Sequence, residues 1–156
     1  MADAKPISSP TEPGLRLILS GDPLPDAYLY RSVVGALQYV TITRPEISYA
    51  VNRVCQFMQS PTVAYWSTVK RILRYLKGSI YDGLLLRPMS DSSLVAFSDA
   101  GCISDPDDSC SQHGFALFYG GNLISWSSRK QKVVARSSTE LDYCSLFIVT
   151  KGLLFL

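Results

Sequence analysis

The hydrophobic period of this 156-residue chain changes once, near Pro88, and that change limits it to a helical part followed by a mixed one. Before Pro88 apolar residues recur at three- and four-residue steps. After it they come in short runs bounded by glycine, the pattern of strands.

The helical part reads as three helices. Asp26 has the side chain of an N-cap and precedes an expected helix over about Ala27 to Val40, with Leu29, Val33, Ala36, Leu37 and Val40 as its apolar stripe. Thr43 and Glu46 have capping-box spacing, and Pro45 suits a first turn while restricting Arg44. The helix expected there carries Ile47, Ala50, Val51, Val54 and Met58 on one face. A third helix is expected to start at Ser60-Pro61 and to stop at Gly78. Its core stripe is Val69, Ile72, Leu73 and Leu76, and Lys70, Arg71, Arg74 and Lys77 take the remaining positions. Residues 1–25 hold five of the nine prolines, which predicts an extended, poorly ordered lead-in.

Beyond Pro88, Leu94 to Ser98 is an expected strand, and Gly114 to Tyr119 pairs with Leu123 to Ser127 through Gly120-Gly121-Asn122. Ser137, Ser138 and Thr139 offer caps for a last helix from about Glu140. The fold class expected is α+β, divided into a lead-in (1–25), a helical region (26–88) and a mixed module (92–156) with a three-stranded sheet and one helix.

Composition excludes several classes. Apolar residues make up 47% and charged residues 18%, which suits a packed core rather than disorder. A net charge of +2 carries no global signature of a polyanion-binding protein, so the clusters matter instead. The four cysteines, Cys55, Cys102, Cys110 and Cys144, form no C-x-x-C pair, and His113 is the single histidine, so a structural zinc site is not expected. Buried or idle reduced thiols in an intracellular compartment, cytoplasm or nucleus, are the expectation. The apolar run Leu146 to Leu156 is broken by Thr150, Lys151 and Gly152 and is too short to span a bilayer, so it reads as a core helix with no membrane role.

Taken singly, Asp99 is a strand-end aspartate of the kind that usually caps a turn, and Glu140 is a first-turn acid favourable to a helix dipole. Asp105, Asp107 and Asp108 surround a proline and read as a solvated turn rather than a calcium loop. The basic face of the third helix reads by itself first as a solvated side and only second as a phosphate track; Arg129, Lys130, Lys132 and Arg136 form a second cluster that could extend it. His113 reads as the end of a strand and supports no nucleophilic site by itself.

The runs Y-R-S-V-V-G-A-L-Q-Y-V-T-I-T-R-P-E-I-S-Y-A-V (Tyr30 to Val51) and V-K-R-I-L-R-Y-L-K-G (Val69 to Gly78) resemble the helical region that closes copia-type reverse transcriptases. F-S-D-A (Phe97 to Ala100), D-P-D-D (Asp105 to Asp108), G-G-N-L-I-S-W-S-S-R-K-Q (Gly120 to Gln131) and S-S-T-E-L-D-Y (Ser137 to Tyr143) resemble the opening of the ribonuclease H domain of the same retrotransposon Pol polyproteins. The resemblance implies an RNA–DNA hybrid as partner, together with the rest of the polyprotein. It also implies two Mg²⁺ ions held by acidic residues that activate water and stabilise the leaving oxygen. Asp99 matches the first catalytic aspartate. Asp142 stands where the family has a glutamate, and Glu140 is held in reserve.

Three departures bear on activity. The family's third and fourth acids would lie beyond Leu156, so the module reads as truncated. Asp142 is one methylene shorter than glutamate, which a near-octahedral Mg²⁺ site tolerates badly. Gly101-Cys102 and Ser109-Cys110 replace an Asp-Trp pair and basic residues. The polymerase's paired aspartates do not occur here, so DNA synthesis is not expected. The expected function is therefore that of a catalytically inactive piece of a Pol polyprotein. The alternatives are a nucleic-acid-binding module that uses Lys70, Arg71, Arg74 and Lys77 with Arg129 and Lys130, or activity regained with a polypeptide that supplies the missing acids. With half a sheet missing, Leu146, Ile148, Val149, Leu153 and Phe155 are expected to lack partners and to favour association.

Overall fold

The computed structural model describes residues 4–12, 21–89, 91–101, 111–131 and 137–153. They fold as α+β and fall into two compact units, Met1–Gly83 and Leu84–Leu156. Lys132, Arg136, Phe155, Cys102, Cys110 and the Asp105, Asp107 and Asp108 turn lie outside the described residues.

The first unit contains α1 (Ala27–Val40), a 3-10 turn (Pro45–Ile47), α2 (Ser48–Cys55) and α3 (Val63–Gly78). Asp26 caps α1 by accepting a hydrogen bond from the Leu29 amide at 2.8 Å. The buried stripe of α1 is Tyr30, Val34 and Leu37, which shares only Leu37 with the stripe expected: Leu29 is 44% exposed and Ala36 faces solvent, while Val33 and Val40 pack at the margin. Both stripes satisfy helical spacing, and the choice falls on the one whose tyrosine can bury its hydroxyl with a partner. Tyr30 Oη donates to the Val54 carbonyl at 2.8 Å, which joins α1 to α2 and satisfies a buried polar atom. Ile47 of the 3-10 turn and Ala50, Val51 and Val54 of α2 face inward, as do Tyr65, Val69 and Ile72 of α3. Phe57 stacks on Tyr65 with ring centroids 4.0 Å apart. Leu73 and Leu76 are only partly buried, so the α3 stripe is centred one turn earlier than expected.

Two helix starts differ from their sequence signals. Thr43 and Glu46 form no capping box, because the Thr43 hydroxyl turns back to the Val40 carbonyl at 3.3 Å and Glu46 pairs with Arg44 instead. The third helix begins at Val63, not at Ser60-Pro61. Residues 22–24 pair with 61–63 through Leu24 N–H to the Pro61 carbonyl (2.9 Å) and Val63 N–H to the Asp22 carbonyl (3.0 Å), and this bridge holds Thr62 extended.

Arg44 locks the unit. It is buried, and its guanidinium donates to the Ser79 carbonyl at 2.8 Å and the Ser79 hydroxyl at 2.6 Å while lying 5.9 Å from the Tyr75 ring centroid. The loop after α1 is thereby tied to the end of α3, where orphan carbonyls need donors.

In the second unit β1 (Leu94–Gly101), β2 (Gln112–Tyr119) and β3 (Asn122–Lys130) form an antiparallel sheet in the order β1-β2-β3. Gly120 and Gly121 join β2 to β3 with φ of 51° and 80°, the two successive left-handed residues of a type I′ turn. Asn122 uses both ends of its amide on the Arg87 backbone, at 2.8 and 2.9 Å, and so fastens the segment before β1 to the same turn. A bulge between Leu117 and Phe118 shifts the β2–β3 register by one residue. Helix α4 (Ser138–Leu153) is capped by the Ser137 hydroxyl, which accepts from Glu140 N–H at 3.1 Å. It lays Leu141, Ser145 and Val149 on the sheet, so Val149 has the partners it was expected to lack, while Leu146 and Phe147 remain exposed.

Replacing Arg44 by methionine keeps length and removes the guanidinium. The expected result is a loss of about 2 kcal/mol in the stability of the first unit, read by urea unfolding through Trp66 fluorescence in a Trp126→Phe background. An unchanged midpoint would show that Ser79 and Tyr75 do not depend on Arg44.

Candidate functional site

The cations of α3 lie outside because the opposite stripe is buried. Lys70 and Lys77 are exposed, whereas Arg71 and Arg74 are half-buried. Residues 4–12, expected as a poorly ordered lead-in, run along this face without helix or strand, and the cations hold them there. Arg74 Nε donates to the Lys5 carbonyl at 2.7 Å, Lys77 Nζ to the Ala4 carbonyl at 3.0 Å, and Arg71 lies 3.6 Å from the Glu12 carboxylate. Lys70 sits 5.8 Å from the centroid of the Trp66 ring. A cavity of about 690 Å³ remains between segment and helix, bounded by Lys5, Glu12, Ser67, Lys70, Arg71 and Arg74.

The acidic candidates belong to the second unit. Asp99 is not at a strand end: β1 runs on to Gly101, and Asp99 pairs with Gly114. Successive strand residues point to opposite faces. Ser98 faces α4, its hydroxyl 3.4 Å from that of Ser145, which places Asp99 on the other face with the exposed Val95 and Phe97. Glu140 and Asp142 are exposed in the first turns of α4. The same pleat separates Arg129 from Lys130, and the register puts Arg129 beside His113 on the α4 side.

His113 lies near the start of β2, only 8% exposed, at the wall of a groove of about 1170 Å³ between sheet and α4 that Phe115, Arg129, Tyr143, Phe147 and Lys151 also line. Among the described residues its Nδ1 has no hydrogen-bond partner. Burial, and secondly the Arg129 guanidinium, hold its pKa below the usual 6.5. Of the thiols, Cys55 is half-buried, and burial pushes its pKa up, which makes it a poor nucleophile; Cys144 is exposed on α4.

The chain is 49% and 48% identical over 94% of its length to the retrovirus-related Pol polyproteins from the transposons RE1 and RE2 of Arabidopsis thaliana, covering 10% of each. It is 36% identical over its whole length to the corresponding polyprotein from transposon TNT 1-94 of Nicotiana tabacum, covering 12% of it. The chain belongs to the copia-type retrotransposon Pol polyproteins. It spans about a tenth of the length of these relatives. No family model and no solved structure matches it.

For a copia-type Pol segment the Mg²⁺ pair implied by the resemblance must find converging carboxylates. Among the described residues no three His, Cys, Asp or Glu side chains come together as a metal-binding group. Asp99, Glu140 and Asp142 therefore do not fit a two-ion centre as they stand. Sequence reasoning missed Arg44, the docking of residues 4–12, and the buried state of His113. Arg44 sits between Thr43 and Pro45 with no periodic signal, and the docking pairs residues about 70 positions apart in sequence, 69 for Arg74 with Lys5 and 73 for Lys77 with Ala4.

A histidine kept neutral in the folded state makes stability pH-dependent. Below its ordinary pKa of 6.5 the unfolded chain takes up a proton that folded His113 refuses, so stability is lost as pH falls through that value. The second unit is expected to weaken by up to about 1.4 kcal/mol per pH unit between pH 6.5 and the lower folded pKa. Urea unfolding followed by Trp126 in a Trp66→Phe background reads this, and His113→Gln should flatten the profile. A slope unchanged by that substitution would assign it to other groups.

Proposed function

We propose that this chain is a nucleic-acid-handling segment of a copia-type Pol polyprotein. On this reading residues 26–88 belong to the helical end of the reverse transcriptase region, and residues 92–156 open the ribonuclease H-like module. The observation that carries the proposal is the cationic stripe of α3, with Lys70, Arg71, Arg74 and Lys77 outside and Tyr65, Val69 and Ile72 buried, in a chain whose relatives are Pol polyproteins. Closely spaced cations on a rigid helix displace counterions from a phosphodiester backbone, so the ligand is an RNA–DNA hybrid or a similar polyanion.

The polyprotein as a whole would carry out RNA-directed DNA synthesis and Mg²⁺-dependent hydrolysis of RNA in hybrids, with the polymerase aspartates and further acids supplied by its other parts. The chain alone binds and does not cut.

Filter binding of a hybrid at several salt concentrations tests the grip. The expected slope of log affinity against log salt is about −3 to −4, near 0.9 for each phosphate contacted. Lys70→Ala with Lys77→Ala should reduce its magnitude by about 2. Affinity indifferent to salt would remove the proposal, and Mg²⁺-dependent cleavage of the RNA strand abolished by Asp99→Asn would overturn the claim of inactivity.

A further inference from the structure

We propose that residues 4–12 act as a built-in competitor of nucleic acid, a strap laid over the same face of α3; this rests on the reading of that face as a phosphate track. The strap offers the cations what a phosphate backbone would offer, a row of oxygen acceptors: the carbonyls of Ala4 and Lys5 for Lys77 and Arg74, and the Glu12 carboxylate for Arg71. Gly78, the last residue of α3, makes the close approach possible. A Cβ built there would lie 2.9 Å from the Cβ of Pro6, closer than such atoms come.

The strap is made to yield. It has no helix or strand of its own, and Arg74 and Lys77 meet it at neutral carbonyls, weaker acceptors than an anionic phosphate oxygen. Its Lys5 and Glu12 cancel, so the face stays positive while covered. Lys70, exposed at the edge of the cavity beside the strap and close to the Trp66 ring, is where a polyanion first gains contact. Binding then requires the strap to leave, and the apparent affinity is the intrinsic affinity reduced by the fraction of open molecules.

Gly78→Leu tests this without altering a cation. Leucine is a better helix former than glycine, and its side chain must displace Pro6. Two readouts are compared between the intact chain and the variant: affinity for a labelled RNA–DNA hybrid across a salt series, and the rate at which an amine-acylating reagent modifies Lys77, followed by mass spectrometry. The proposal expects roughly tenfold tighter binding, as for a strap closed nine-tenths of the time, with the salt slope unchanged and Lys77 acylated faster. Equal acylation rates with equal affinities overturn the strap. Faster acylation without tighter binding overturns the competition alone. Absence of salt-dependent binding in both proteins overturns the competition together with the reading it rests on. If Gly78→Leu fails to fold, Gly78→Ala, which adds only the clashing carbon, carries the same test.

Discussion

An α-helix turns once in 3.6 residues, and α3 cannot bury Tyr65, Val69 and Ile72 without sending Lys70, Arg71, Arg74 and Lys77 to the outside. This single constraint organises the first unit. The inward stripe gives α1 and α2 something to pack on, and the hydroxyl of Tyr30 and the guanidinium of Arg44 are satisfied only because the helices meet where they do. The outward stripe is the proposed polyanion-binding face. Core and proposed interface are two sides of one periodicity, so a substitution that rotates the stripe would damage both.

The second unit obeys a different constraint, the alternation of a pleated sheet. One face receives Leu141, Ser145 and Val149 from α4, and the other keeps Val95 and Phe97 in contact with solvent. That alternation decides the place of Asp99 more firmly than its motif does. A carboxylate one residue from Ser98 is sent away from the helix that Ser98 touches, whatever the resemblance suggests about its chemistry.

Local chemistry was legible in the sequence and long-range pairing was not. The bounds of α1 followed from Asp26 and the apolar spacing, and the β2–β3 hairpin followed from Gly120-Gly121-Asn122, because each is decided within a few residues. The start of α3 was missed because residues 22–24 hold Thr62 extended from nearly forty positions away. The α1 stripe was read correctly only at Leu37, because two stripes had equal spacing and only the carbonyl of Val54 chose between them. At the site, the cations of α3 were visible as a pattern, whereas the segment lying over them carries no periodicity that could have announced it.

The sheet takes its strands in chain order, each antiparallel to the one before, and its tightest turn is the pair Gly120-Gly121. Such a layout pairs only strands that are neighbours in sequence, so each pairing closes locally. A growing polypeptide can therefore zip β2 onto β3 within microseconds of both emerging, with β1 already waiting and α4 still unmade. The last helix arrives on a surface prepared for it, and the exposure of that surface lasts only as long as synthesis of the residues between.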